Sequence, residues 1–175
     1  MTVKKLTPKG IKILKIFHIL FAIMWIGGAL ALILSLCFLH PTTPEGYYLR
    51  SISVKLFDYF LIIPGAIGLL ITGLIYGIWT NWGFFKHKWI IVKWILIVAQ
   101  TILGITIGLL WIEPNVFSPN EINNYILLQK TVENNALQAI IWGSVQTIGL
   151  LAVVCISVIK PWKKKTKTET KNTNH

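Results

Sequence analysis

Four long runs of almost uncharged, apolar residues dominate this chain: roughly Ile13 to Leu39, Leu56 to Thr80, Trp89 to Ile112 and Ala136 to Ile159. A helix rises about 1.5 Å per residue, so about 20 apolar residues cross the roughly 30 Å hydrocarbon core of a bilayer. Each run is long enough. The runs have almost no charge and the ionisable groups crowd between them, which reads as a membrane protein rather than a soluble protein with one rich core. The expected fold class is all-α, an integral membrane four-helix bundle occupying residues 1–160. Residues 161–175 are expected to be a disordered basic tail, because their Lys, Thr and Asn side chains have no apolar surface to bury.

The remaining composition agrees. Hydrophobic residues make up 54% of the chain and charged ones only 13%, about half the usual share for a soluble domain. The net charge of +11 is a topology signal rather than a nucleic-acid one. The cations crowd at the ends of apolar runs, and no nucleic-acid-binding signature accompanies them. Lys and Arg number 14 on one side (through Lys15, around the second connector to Lys93, and from Lys160) against 3 on the other (Arg50, Lys55, Lys130). The excess of basic residues on cytoplasmic loops places both termini in the cytoplasm. The basic face then meets anionic lipid headgroups.

The connectors carry their own punctuation. His40-Pro41-Thr42-Thr43-Pro44-Glu45-Gly46 is a turn-rich break, and Glu113-Pro114-Asn115 stops the third run. Ser118-Pro119-Asn120-Glu121 reads as a helix start, predicting a short amphipathic surface helix from Pro119 towards Lys130. The first run has a basic start and an Ala29-Leu30-Ala31 triplet, yet it continues apolar to Leu39. That is too long for a signal-peptide core of about 7–15 residues, so an uncleaved first helix is expected. Cys37 and Cys155 lie near opposite membrane faces, which argues against an intrachain disulfide.

Lipid provides no hydrophobic drive between helices, so helix faces that meet use small residues and polar contacts. Helical spacing puts Lys15, His18, Ala22, Trp25 and Ala29 on one face of the first helix, with Gly27 and Gly28 beside them. Asp58, Gly65, Thr72 and Trp79 repeat on the second, where Pro64-Gly65 should kink or loosen the helix. Gly73 and Gly77 form a GxxxG pair there, and Gly104 and Gly108 form another on the third helix near Lys93 and Gln100. Asn135, Gln138, Trp142, Gln146 and Gly149 line one face of the fourth. Gln100 and Gln146 fall at one depth, about 16 Å into the membrane by the helical rise, and are expected to clasp across the core, with a ligand or proton path as the alternative. Packing is the ordinary meaning of the glycines; a homo-oligomer or membrane-partner interface is the alternative.

His18 is the strongest candidate for chemistry. An ionisable side chain within a span is costly and marks a functional site by default. Imidazole can ligate haem iron or a metal, or relay protons. Lys93 and Cys155 are expected at similar depth. Plain roles compete: a backbone hydrogen bond for His18, snorkelling for Lys93 and packing for Cys155. His40, His87 and His175 lie outside the spans, so a haem clamped between two intramembrane histidines is not supported. The only methionines are Met1 and Met24, which weakens a copper conduit.

His18 followed by Trp25-Ile26-Gly27-Gly28 resembles the first helix of the copper-resistance protein D (CopD) superfamily, which includes the HemJ-type protoporphyrinogen oxidases. Asp58, Pro64-Gly65, Thr72-Gly73, Trp89 and Lys93 resemble the pattern of a bacterial four-helix family of predicted integral membrane proteins of unknown function. The resemblance covers the first three spans. It implies a multi-pass protein of the bacterial cytoplasmic membrane, with haem b near His18 and Lys93, since the HemJ-type enzymes use a first-helix histidine and a third-helix lysine. The run Gly27-Gly28-Ala29-Leu30 lacks the arginine that follows this motif in those enzymes, and Arg50 is the only arginine in the chain. The leading expectation is a membrane protein with a haem or metal site at His18. The alternatives are a haem-dependent oxidoreductase of the HemJ kind, a small copper or solute transporter, and an accessory subunit of a membrane complex.

Overall fold

A computed structural model describes residues 5–80, 83, 87–115 and 125–160, with side chains from Gln129 onward in the last stretch. The described residues are helical, without strands, and form four helices long and apolar enough to cross a membrane. They are α1 (Pro8–Phe38), α2 (Pro44–Trp79), α3 (Lys88–Asn115) and α4 (Tyr125–Ile159). α1 lies between α2 and α4, and α3 packs mainly on α4. The interior is lined by Trp25, Ala29, Leu32, Ile62, Leu69, Ile97, Ile107, Ala139 and Leu150. The outer faces carry exposed Ile, Leu, Phe and Val, among them Ile16, Phe60, Ile102 and Ile148. That inversion suits a lipid surround, where apolar side chains need no shelter.

α1 begins where Thr7 caps it, accepting a hydrogen bond from the Gly10 N–H, with Pro8 in the first turn. The turn-rich break is short. Thr43 caps α2 in the same way, accepting from the Gly46 N–H, and Pro44 follows it. α2 therefore starts at Pro44, a dozen residues before the expected Leu56, and runs for 36 residues. Hydropathy missed this segment because Tyr47, Arg50, Ser51 and Lys55 are polar, yet the cap and proline are strong helix starters. At about 1.5 Å per residue, α2 is longer than a bilayer core is thick, so one end projects beyond it. α4 repeats the correction: it starts by Tyr125 rather than Ala136. Residues 125–130 are its first turns and not a separate surface helix; Ser118, Pro119 and residues 120–124 lie outside the described residues. So does the 161–175 tail.

The expected disturbance at Pro64-Gly65 takes a specific form. Asp58–Ile62 is a π-helical turn, with the Ile63 N–H reaching back to the Asp58 carbonyl. Gly108–Ile112 is a second, with the Glu113 N–H bonded to the Gly108 carbonyl. A proline, Pro64 or Pro114, stands just past each. Proline has no N–H to give the preceding turn, and a widened turn absorbs the break.

The two ends of the bundle differ. At one, Lys5 Nζ donates to the Ile78 and Thr80 carbonyls at 3.2 and 3.1 Å, and the Leu6 N–H to the Trp79 carbonyl, so the start of the chain closes the C-terminus of α2. Oxygens left unpaired at a helix end are thereby satisfied. At the other, Arg50 is buried and its Nη1 donates to the Leu39 carbonyl at 3.1 Å, closing the end of α1. Its Nη2 lies 3.6 Å from Glu133, near enough for ionic attraction but too long for a hydrogen bond. Glu133 instead accepts from the Tyr47 hydroxyl at 2.8 Å. Arg50 and Lys55, outside the expected second run, stand on α2; Glu113 lies in the last turn of α3, and Glu133 stands on α4.

Candidate functional site

The helical register of α1 against α2 sets the site. Gly28 packs on Leu61 and Ile62, and Gly65 lies against the backbone of Trp25 and Phe21. Continued towards the Lys5 end, the same register brings His18 beside Thr72. His18 Nδ1 is 2.7 Å from Thr72 Oγ1. The Thr72 hydroxyl also lies 2.7 Å from the Gly68 carbonyl and 3.1 Å from that of Leu69. A hydroxyl has one proton. Given to a helix carbonyl, it leaves the oxygen to accept from His18 Nδ1–H, and that tautomer of neutral imidazole has its lone pair on Nε2. The Tyr76 ring stands edge-on to the imidazole, 5.6 Å between centroids. Lys93 of α3 is within electrostatic range of His18, so the two residues singled out in the sequence share one neighbourhood.

Cys155 does not join them. It is exposed, and Cys37 is a free thiol elsewhere. Lys15, expected on the same face as His18, is also exposed. Their close neighbours Leu14 and Val153 take the inward positions instead. Among the described residues, no three His, Cys, Asp or Glu side chains gather around one point.

Asp58, Thr72, Gln100 and Gln146 are all buried, as their stripes predict. The glutamine clasp differs in detail. Gln146 Nε2 donates to the backbone carbonyl of Gln100 at 3.2 Å rather than to its side-chain amide. Each amide rests on a glycine of the opposite helix, Gln146 on Gly104 and Gln100 on Gly149. Gln100 Oε1 has no hydrogen-bond partner among the described residues.

The glycines divide. Gly28, Gly65 and Gly104 are true close-approach positions. Gly73 meets Trp94 at ordinary contact distance, and Gly108 faces the Asp58 carboxyl. Gly77 is half-buried. Gly27 is a correction: among the described residues nothing lies within 4 Å of a side chain placed there, so it packs against none of their helices. Its neighbour Gly28 takes that role, because one residue along a helix turns the side chain by about 100°. Two glycines not singled out as packing sites matter more. Gly68 seats the Phe21 ring, and Gly149 seats Gln100. The three-residue spacing of Gly68 from Gly65 was the available signal for the first.

No known protein family, curated protein or solved structure matches the chain. The fold and its lipid-suited exterior define a class: an all-helical, multi-pass membrane protein.

Proposed function

We propose that this protein lies in the bacterial cytoplasmic membrane with both termini inside, and that His18 is the centre of a haem-binding site near the cytoplasmic face. The basic-residue asymmetry supports the orientation, and with it the Lys5 end is cytoplasmic. One observation carries the site: the bond from His18 to Thr72. Histidines that ligate metals commonly donate their second ring N–H to a neighbour, which sets the tautomer and turns the ring. Thr72 does this for Nδ1, leaving Nε2 as the donor atom. A neutral imidazole lone pair beside a lysine suits a haem, whose iron takes the nitrogen and whose propionates match an ammonium group. The resemblance of His18, Trp25-Ile26-Gly27-Gly28 and Lys93 to the CopD and HemJ-type pattern points to the same group.

Haem b, when bound, would supply an iron centre for one-electron chemistry. The chain's own contribution is positional. Thr72 orients His18, Tyr76 packs its edge, and Lys93 provides a cation at the same level of the bundle. Purification in mild detergent after growth with added haem tests the reading. The expected result is a Soret absorbance band that is lost in His18→Ala and kept in Gly27→Ala. A colourless, folded protein at full haem supply overturns it.

A further inference from the structure

Asp58 stands at the opposite end of the shared α1–α2 face from His18. It is 8% exposed, and no hydrogen bond or ion pair reaches its carboxyl group among the described residues. It opens the π turn of α2. Directly opposite is Gly108, which opens the π turn of α3, with Asp58 Oδ2 only 3.5 Å from where a side chain at that glycine would begin. The two widened turns among the described residues therefore meet at one buried carboxyl group. Turns of this kind are found disproportionately at functional sites.

The charges around Asp58 are already committed. On its own helix, Lys55 Nζ lies 2.8 Å from Glu113 Oε2. The Tyr59 hydroxyl donates to Glu113 Oε1 at 2.8 Å. Glu113, on α3, is thus satisfied at the surface, and it is the acid whose field reaches Asp58. α1 has no ionisable side chain between His18 and Cys37, and α4 has none between Glu133 and Cys155. Among the described residues, no cation forms an ion pair with Asp58 to neutralise a carboxylate there. An uncompensated ion in an apolar interior is strongly unfavourable, and the usual escape is to neutralise it.

We infer that Asp58 is a proton-carrying carboxyl group, held at the junction of the two π turns and exchanging its proton with the medium on the Pro44 side of the membrane. The Lys55–Glu113–Tyr59 cluster one turn away gives the proton a polar route to that surface. This function is separate from the haem site.

A hydrophobic carbodiimide tests it, because it adds to protonated carboxyl groups in apolar surroundings and leaves a stable N-acylurea that mass spectrometry can locate. The whole protein in detergent is treated between about pH 5 and pH 9. Label is expected on Asp58 at the acidic end, falling about tenfold per pH unit beyond a midpoint, and unchanged by sodium chloride at fixed pH. Absence of label on Asp58 throughout the range overturns the inference. Protection by sodium at constant pH overturns it too, in favour of a bound metal cation. The label is located on the native chain, so the result does not depend on a variant folding.

Discussion

His18 Nδ1 and Thr72 Oγ1 are 2.7 Å apart, and through that contact α1 and α2 are tied at the level of the candidate haem site. Thr72→Val keeps the shape and removes the hydroxyl. The expected loss of stability is about 0.6–2 kcal/mol, the range for hydrogen bonds between membrane helices. The larger effect should be on the haem spectrum, because the ring loses what fixes its tautomer. Thr72→Ser should restore both. Thermal unfolding and absorbance in detergent separate the two effects; a valine variant with an unchanged spectrum would show that Thr72 does not orient His18.

Gly65 and Gly27 should respond oppositely to alanine. A methyl group at Gly65 meets the Trp25 backbone nitrogen at 2.6 Å and the Phe21 carbonyl at 2.9 Å. Backbone cannot step aside as a side chain can, so Gly65→Ala should cost at least about 1–3 kcal/mol and separate α1 from α2. Gly27→Ala meets nothing and should be neutral or stabilising by up to about 1 kcal/mol, since alanine is the better helix former. Thermal unfolding of the purified pair decides it. Equal behaviour would refute the α1–α2 register.

The α3–α4 seam should depend on Gly149 more than on the Gln146 hydrogen bond. Gln146→Leu gives up one bond to the Gln100 carbonyl, about 0.6–2 kcal/mol. Gly149→Ala places a methyl group where the Gln100 amide now lies, forcing a buried polar side chain off its seat. The alanine variant is expected to unfold at the lower temperature of the two.

The Lys55–Glu113 pair should matter little to stability. Its side chains are 30% and 36% exposed, and ion pairs so open to solvent contribute little to stability. Glu113→Gln is therefore expected to leave thermal unfolding almost unchanged. In Arg50→Ala the expected loss is larger, because a buried guanidinium that closes the α1 terminus disappears and leaves a void. Reversal of that order would mean the open pair is the stronger tie.

Orientation has its own check. An enzymatic reporter active only in the cytoplasm, fused after His175, should be active, and the same reporter inserted at Thr42 should be silent. The opposite pattern would invert the bundle and place the His18 site at the outer face.

Much of this architecture is written in one dimension. Four apolar runs dictate four spanning helices, because a backbone in lipid must satisfy its hydrogen bonds internally. Seven-residue spacing was enough to bring Asp58, Gly65 and Thr72 to one buried face, since that spacing is close to two helical turns. The hidden features depend on neighbours. Hydropathy cannot see that polar Tyr47, Arg50 and Ser51 continue a helix, because that depends on local capping and on partners such as Leu39 and Glu133. It cannot choose between Gly27 and Gly28, which differ only in which way the helix happens to face Ile62. Nor does spacing announce that Gln146 bonds a backbone oxygen. Chain composition and period determine that this protein is a membrane bundle with His18, Lys93 and Asp58 inside it. Only the docking of one helix on another decides that the His18 imidazole meets the Thr72 hydroxyl and that the Asp58 carboxyl faces Gly108, because contacts between side chains depend on relative rotation and depth, and no single helix carries that information.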